Sequence, residues 1–209
     1  MKRWGILITY LGLFGLLIYG YQTNHYVERN LNNLISATQV KVTQLISPHT
    51  KTDQNSHTAG KWNQPQAKLY LELGNDELTQ ATKEAVANWN QTGVFHFTIT
   101  TNRDQADVII TTMQNSSNQA AGLTKMRINS LTHYFVGGTM YLNAAYLLNP
   151  MYQYSYQQVV NTAEHELGHV IGLNHTNEIS VMQPRGSNFT IQPRDVNQVK
   201  QMYQKSGSK

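Results

Sequence analysis

The sequence predicts an α+β fold: a domain of strands and long helices, preceded by an apolar N-terminal helix and a helical stalk. Three observations lead there. After about Trp62, segments that alternate apolar and polar residues interchange with segments of helical period. An uncharged, mainly apolar run occupies residues 4–21. Between these two parts lie a stretch of amphipathic helical spacing and then a polar stretch.

The N-terminal run follows Lys2 and Arg3. Its eighteen residues, as a helix, would reach roughly 27 Å, about the hydrocarbon thickness of a bilayer. No small-residue cleavage site follows Tyr21, so residues 1–21 read as a signal anchor rather than a cleaved signal peptide. Basic residues before the span favour a cytoplasmic N-terminus. The rest of the chain is then expected outside the cell, membrane-bound with an anchor or secreted with a cleaved signal. Val27, Leu31, Leu34, Ile35, Val42, Leu45 and Ile46 recur at helical spacing, so residues 22–46 read as an amphipathic stalk. A spacer helix, self-association and a short pro-segment all fit it. Thr38 and Lys41 interrupt a strict heptad. Residues 47–64 are polar and read as a linker, which leaves 65–209 for one domain with its own core.

Charge separates the same parts. Residues 1–64 hold six basic and two acidic residues, a net of +4, whereas residues 65–209 hold ten of each. The basic excess therefore lies outside the domain, and no nucleic-acid partner is expected. The chain has no cysteine, which permits export without disulfides and identifies no compartment alone.

Within the domain, residues 67–73 place Leu69, Leu71 and Leu73 on one face and read as a strand. Asp76 can cap a helix to about Asn90, with Leu78, Ala81, Ala85, Val86 and Trp89 inward. Residues 94–100, 107–112 and 139–143 read as further strands. Ser155 and Gln158 form a capping-box pattern that starts a helix near Tyr156. Val160, Ala163, Leu167, Val170 and Ile171 give it an inward face, and Gly172 is a natural stop.

That helix carries His165-Glu166-Leu167-Gly168-His169, continued by Gly172 and His175. Two histidines four apart share a helix face, so both imidazoles can bind one metal ion. The glycine lets the chain turn and return a third histidine to the same ion. Glu166 sits beside the first ligand, near any water on the metal. Three protein ligands, one open position and one base make a hydrolytic zinc site. H-E-x-x-H alone can arise by chance in a buried helix, but the extended pattern is far more specific. Glu164 rivals Glu166 by residue type, yet it precedes both helical ligands and reads as a solvated helix glutamate. The chemistry expected is metal-assisted hydrolysis, with Glu166 taking the water's proton and passing it to the leaving amine. A zinc-binding interaction module and a hydrolase of non-protein envelope amides are the rival classes.

Downstream stands Ser180-Val181-Met182-Gln183-Pro184. The three-histidine motif followed by this methionine turn resembles the metzincin clan, and its matrixin branch most. The resemblance extends from about Trp62 through residues 85–97 and 106–110 to residues 191–203, which are similar to the family's closing helix. It implies a metzincin-like catalytic domain with a twisted mixed sheet, and peptide hydrolysis with one catalytic zinc. It makes Met182 the hydrophobic floor beneath the metal. It also implies that an extended substrate pairs with the strand formed by Gly138, Thr139, Met140, Tyr141, Leu142 and Asn143, while residues 185–191 shape a specificity pocket. Arg185 reads as solvated there.

The chain departs from the family in three places. The loop expected over 113–138 holds only His133 and no acidic residue, so no structural zinc is expected there, and calcium is left open. His133 reads as an ordinary polar residue. Without cysteine, no cysteine latch can block the zinc. Arg194 stands where the family often has the first of two aspartates, so capture of a newly cut amino terminus is not expected. The sequence assigns neither substrate sequence nor oligomeric state.

Overall fold

The computed structural model describes residues 60–204, except 118–119 and 185–187. The anchor read at 1–21, the stalk at 22–46 and most of the linker lie outside the described residues. Among the described residues no helix is long and apolar enough to cross a membrane.

Five strands form one sheet: β1 (Gln66–Glu72), β2 (His96–Ile99), β3 (Val108–Met113), β4 (Gly122–Ile128) and β5 (Phe135–Asn143), in the order β2-β1-β3-β5-β4. The first four in that order run parallel, and β4 pairs antiparallel with β5. Leu69 lies opposite Val108, Ile110 opposite Met140, and Met140 opposite Thr124. The sheet is thus mixed, with β4 at one edge.

Helix α1 (Asp76–Gln91) begins one residue after its cap. Asn75, not Asp76, is that cap: its Oδ1 accepts from the Leu78 N–H at 3.0 Å. Asp76 instead adds negative charge to the first turn, where the helix dipole favours it. Leu78, Ala81, Ala85 and Trp89 are fully buried. A short α2 (Ala144–Leu147) follows β5, and α3 (Tyr156–Ile171) follows it. Ser155 and Gln158 complete both halves of the predicted capping box. Helix α4 (Pro193–Gln204) closes the described chain, with Pro193 at its first position, where no N–H is needed.

Helices α1 and α3 pack against each other and against the sheet. The apolar faces of Leu69, Ile110, Met140 and Leu142 from the sheet meet Leu78 and Trp89 from α1 and Leu167 and Ile171 from α3. Residues 60–64, read as the end of the linker, belong to this body. Trp62 is buried, and its Nε1 donates to Val170 O at 2.8 Å. Lys61 Nζ donates to Met202 O at 2.9 Å, and Tyr203 OH donates to Ile171 O at 2.8 Å. Both ends of the described chain thereby hold the C-terminal turn of α3.

Candidate metal centre and active site

Helix α3 carries His165 and His169 one turn apart, so their rings leave the same face. At its end Gly172 takes φ 116°, a left-handed value that a glycine adopts freely. The turn sends the chain back, and His175 meets the other two. Its Nε2 lies 3.2 Å from His165 Nε2 and 3.1 Å from His169 Nε2. His165 and His169 are buried, whereas His175 is half-buried and leaves one side of the group open.

Hydrogen bonds fix which nitrogens are free. His165 Nδ1 lies 2.7 Å from Val181 O, and His169 Nδ1 lies 2.9 Å from Leu173 O. A ring nitrogen facing a carbonyl at that range must carry the proton, so both Nε2 atoms present lone pairs. One proton on His175 Nε2 could satisfy one of these neighbours and not both. A cation satisfies all three. A tetrahedral ion with Zn–N of about 2.05 Å would hold its nitrogens about 3.3 Å apart, close to the observed separations. The three side chains therefore fit zinc, with carbonyls orienting two of the rings. Burial depresses all three imidazoles, and the neighbouring histidines add to this at His165 and His169. His165 falls well below the usual histidine range and His169 to about 4. All three are neutral at pH 7 and ready to bind a metal.

Glu166 lies on the same helix, buried, and reaches toward β4. Thr124 Oγ1 donates to its Oε2 at 2.7 Å and lies 3.2 Å from its backbone carbonyl. Burial raises the carboxyl to about 7, with the Thr124 bond pulling the other way. Such a group changes protonation near neutral pH.

Met182 is also buried, and a Cβ on Gly168 would overlap its Sδ. Gly168 lies between the two helical ligands, so the thioether packs against that stretch of α3. The methionine turn is held from below by Asp195 of α4. Ser180 Oγ donates to Asp195 Oδ1 at 2.5 Å, and the N–H groups of Val181 and Gln192 donate to Oδ2 at 3.0 and 2.8 Å. Val181 in turn accepts from His165, so one chain of bonds runs from α4 to a ligand ring. The sequence reading missed Asp195, although an acid in the first turn after Pro193 is a local capping signal. Thr124 was missed too, and nothing near it in the sequence signals its role, because its partner is 42 residues away.

Two expectations are corrected. Glu164 is not solvated; it is fully buried. Asn88 Nδ2 donates to its Oε1 at 2.6 Å, and Thr190 Oγ1 and the Ile191 N–H donate to Oε2. It faces α1 and residues 190–191, away from the histidine face. The second correction concerns the substrate strand. Residues 138–143 lie in β5, which pairs with β3 on one side and β4 on the other. Their backbone is already committed to the sheet, so they cannot receive another strand. Of the two edge strands, β2 and β4, the one beside Glu166 is β4, which forms inside the stretch expected to be a loop. His133 lies in the turn between β4 and β5, exposed, with φ 57°. Of the expected pocket wall, residues 185–187 lie outside the described residues, and Phe189 and Thr190 are buried.

The mixed sheet, two packed helices and a convergent histidine triad define a zinc-metallopeptidase type of domain, and the triad points to a catalytic zinc. The chain belongs to the matrixin family, which it matches over residues 61–204. Solved structures similar to the chain include the following three. Archaemetzincin from Methanopyrus kandleri is 15% identical with a TM-score of 0.45, over 68% of this chain and 97% of that one. Myroilysin is 12% identical with a TM-score of 0.49, over 76% and 88%. Archaemetzincin from Archaeoglobus fulgidus, complexed with malonate, is 14% identical with a TM-score of 0.41, over 64% and 99%. No curated protein matches the chain.

Proposed function

We propose that the chain is a zinc endopeptidase whose general base is Glu166. One observation carries this reading: a buried carboxyl, raised to about 7, stands on the helix that also supplies two of three convergent imidazoles. Zinc, when bound, supplies Lewis acidity toward water and toward a scissile carbonyl. His165, His169 and His175 hold it, and the half-buried side at His175 leaves room for a fourth partner. Glu166 takes a proton from the attacking water and returns it to the leaving amine. Met182 forms an apolar floor against α3.

Substrate adds to the outer edge of β4 as an extended strand, its backbone pairing with the open side. Residues 185–191 contribute to the pocket beyond the methionine turn. Residues 1–21 anchor the chain, with the N-terminus in the cytoplasm and the matrixin domain outside the cell; a cleaved signal would release the same domain.

The purified full chain should cleave denatured protein, lose that activity to a chelator and regain it on addition of zinc. A chain that binds zinc stoichiometrically and cleaves nothing would instead fit the interaction-module reading. For topology, a membrane-impermeant label applied to intact cells should reach the C-terminal domain; protection of that domain until lysis would contradict the export reading.

A further inference from the structure

We infer that Gly122 and Thr124 of β4 form a seat for the Glu166 carboxylate, making Thr124 a positioning residue for the base. The inference rests on the endopeptidase reading and adds residues that the zinc motif does not contain.

Two independent features of β4 point the same way. Gly122 is not in the left-handed region, so its backbone does not require glycine. What requires it is space: a Cβ at 122 would lie 2.6 Å from Glu166 Cγ and 2.7 Å from Cδ, and closer still to Oε1. Two residues on, on the same face of the strand, Thr124 gives its hydroxyl to Oε2 at 2.7 Å. Thr124 has one hydroxyl proton to donate, and the carboxylate is nearer than the 3.2 Å backbone carbonyl. The strand therefore leaves a gap for the carboxylate and fixes one of its oxygens. The terminal torsion of a glutamate is otherwise broad. Holding Oε2 sets the plane of the group and leaves Oε1 for proton transfer. Because β4 is also an edge strand, base and incoming substrate strand would be registered against one strand. Alignment of that kind acts on the rate of the bound complex more than on binding.

The test uses the zinc-loaded full chain. Thr124→Val should lower kcat about tenfold, a fraction of what the base itself contributes, with KM within about twofold and zinc content unchanged. Thr124→Ser, which keeps the hydroxyl, should restore kcat to within about twofold of wild type. Gly122→Ala should lower Tm by about 4 °C or more when Glu166 is present, and far less in a Glu166→Ala background. Unchanged kcat in Thr124→Val, failure of Ser to rescue, or an equal Tm loss in both backgrounds would overturn the seat. If wild type binds zinc but cleaves nothing, the endopeptidase reading fails, and the Tm cycle alone decides whether the seat exists.

Discussion

Glu164 and Glu166 stand two positions apart on one helix and meet opposite surroundings. Two residues span about 200° of an α-helix, so one carboxyl points toward α1 when the other points toward β4. The position of Glu166 beside the histidine triad was legible, because it is part of the motif. That of Glu164 was not, because a charged residue is ordinarily exposed. Yet Val160, Glu164, Leu167 and Ile171 fall on one helical stripe, and that spacing marks Glu164 as inward. Removing its carboxylate strands the donors of Asn88, Thr190 and Ile191 in the interior. Glu164→Ala should therefore cost about 3 kcal/mol or more in urea unfolding, and Glu164→Gln distinctly less. For Glu166 the pH dependence has a defined sign. In the zinc-free protein its folded pKa is raised from 4.5 to about 7, so it contributes stability below pH 4.5 that is lost as pH rises through 7. Glu166→Gln lacks that loss. Its stability relative to zinc-free wild type should rise across that window, by on the order of 3 kcal/mol, as read from unfolding curves at successive pH values.

At the scale of elements, local chemistry was legible and long-range pairing was not. The capping box of α3, its Gly172 stop and the alternation of β1 each depend on neighbours in sequence, and the structure has all three. Strand β4 has weak alternation and half-exposed residues, as an edge strand does, so its stretch read as a loop. The mistaken substrate strand followed from that, since without β4 the edge falls to β5. Helix α4 reaches the histidine triad through Asp195, whose bonds to Ser180 and Val181 lead to the His165 ring. Burial raises this carboxyl, while bonds from Ser180, Val181 and Gln192 and the charge of Arg194 oppose the rise. Asp195→Ala should free the methionine turn and loosen Val181 O beneath His165. Zinc affinity, measured by chelator competition, should weaken about tenfold, as for other groups that orient a metal ligand. Affinity equal to wild type would detach α4 from the site.

For the whole molecule, both termini of the matrixin domain are tied to the far end of the zinc helix. Trp62 bonds Val170, Lys61 bonds Met202, and Tyr203 bonds Ile171. The boundary expected at 65 would cut away the first two of these. A piece spanning 65–209 should be at least about 3 kcal/mol less stable than one spanning 60–209, given the burial of Trp62. Comparing their thermal unfolding tests this. The equal count of acids and bases after residue 64 also keeps nucleic acid out of the reading. The reading as a whole turns on one glutamate beside one metal site. The most direct test measures zinc per chain and cleavage of denatured protein in the full chain, wild type beside Glu166→Ala. Equal zinc near one per chain is predicted, with kcat reduced roughly 10²–10⁴-fold in the variant. Cleavage by Glu166→Ala at the wild-type rate, with zinc retained, would contradict the assignment of Glu166 as the base.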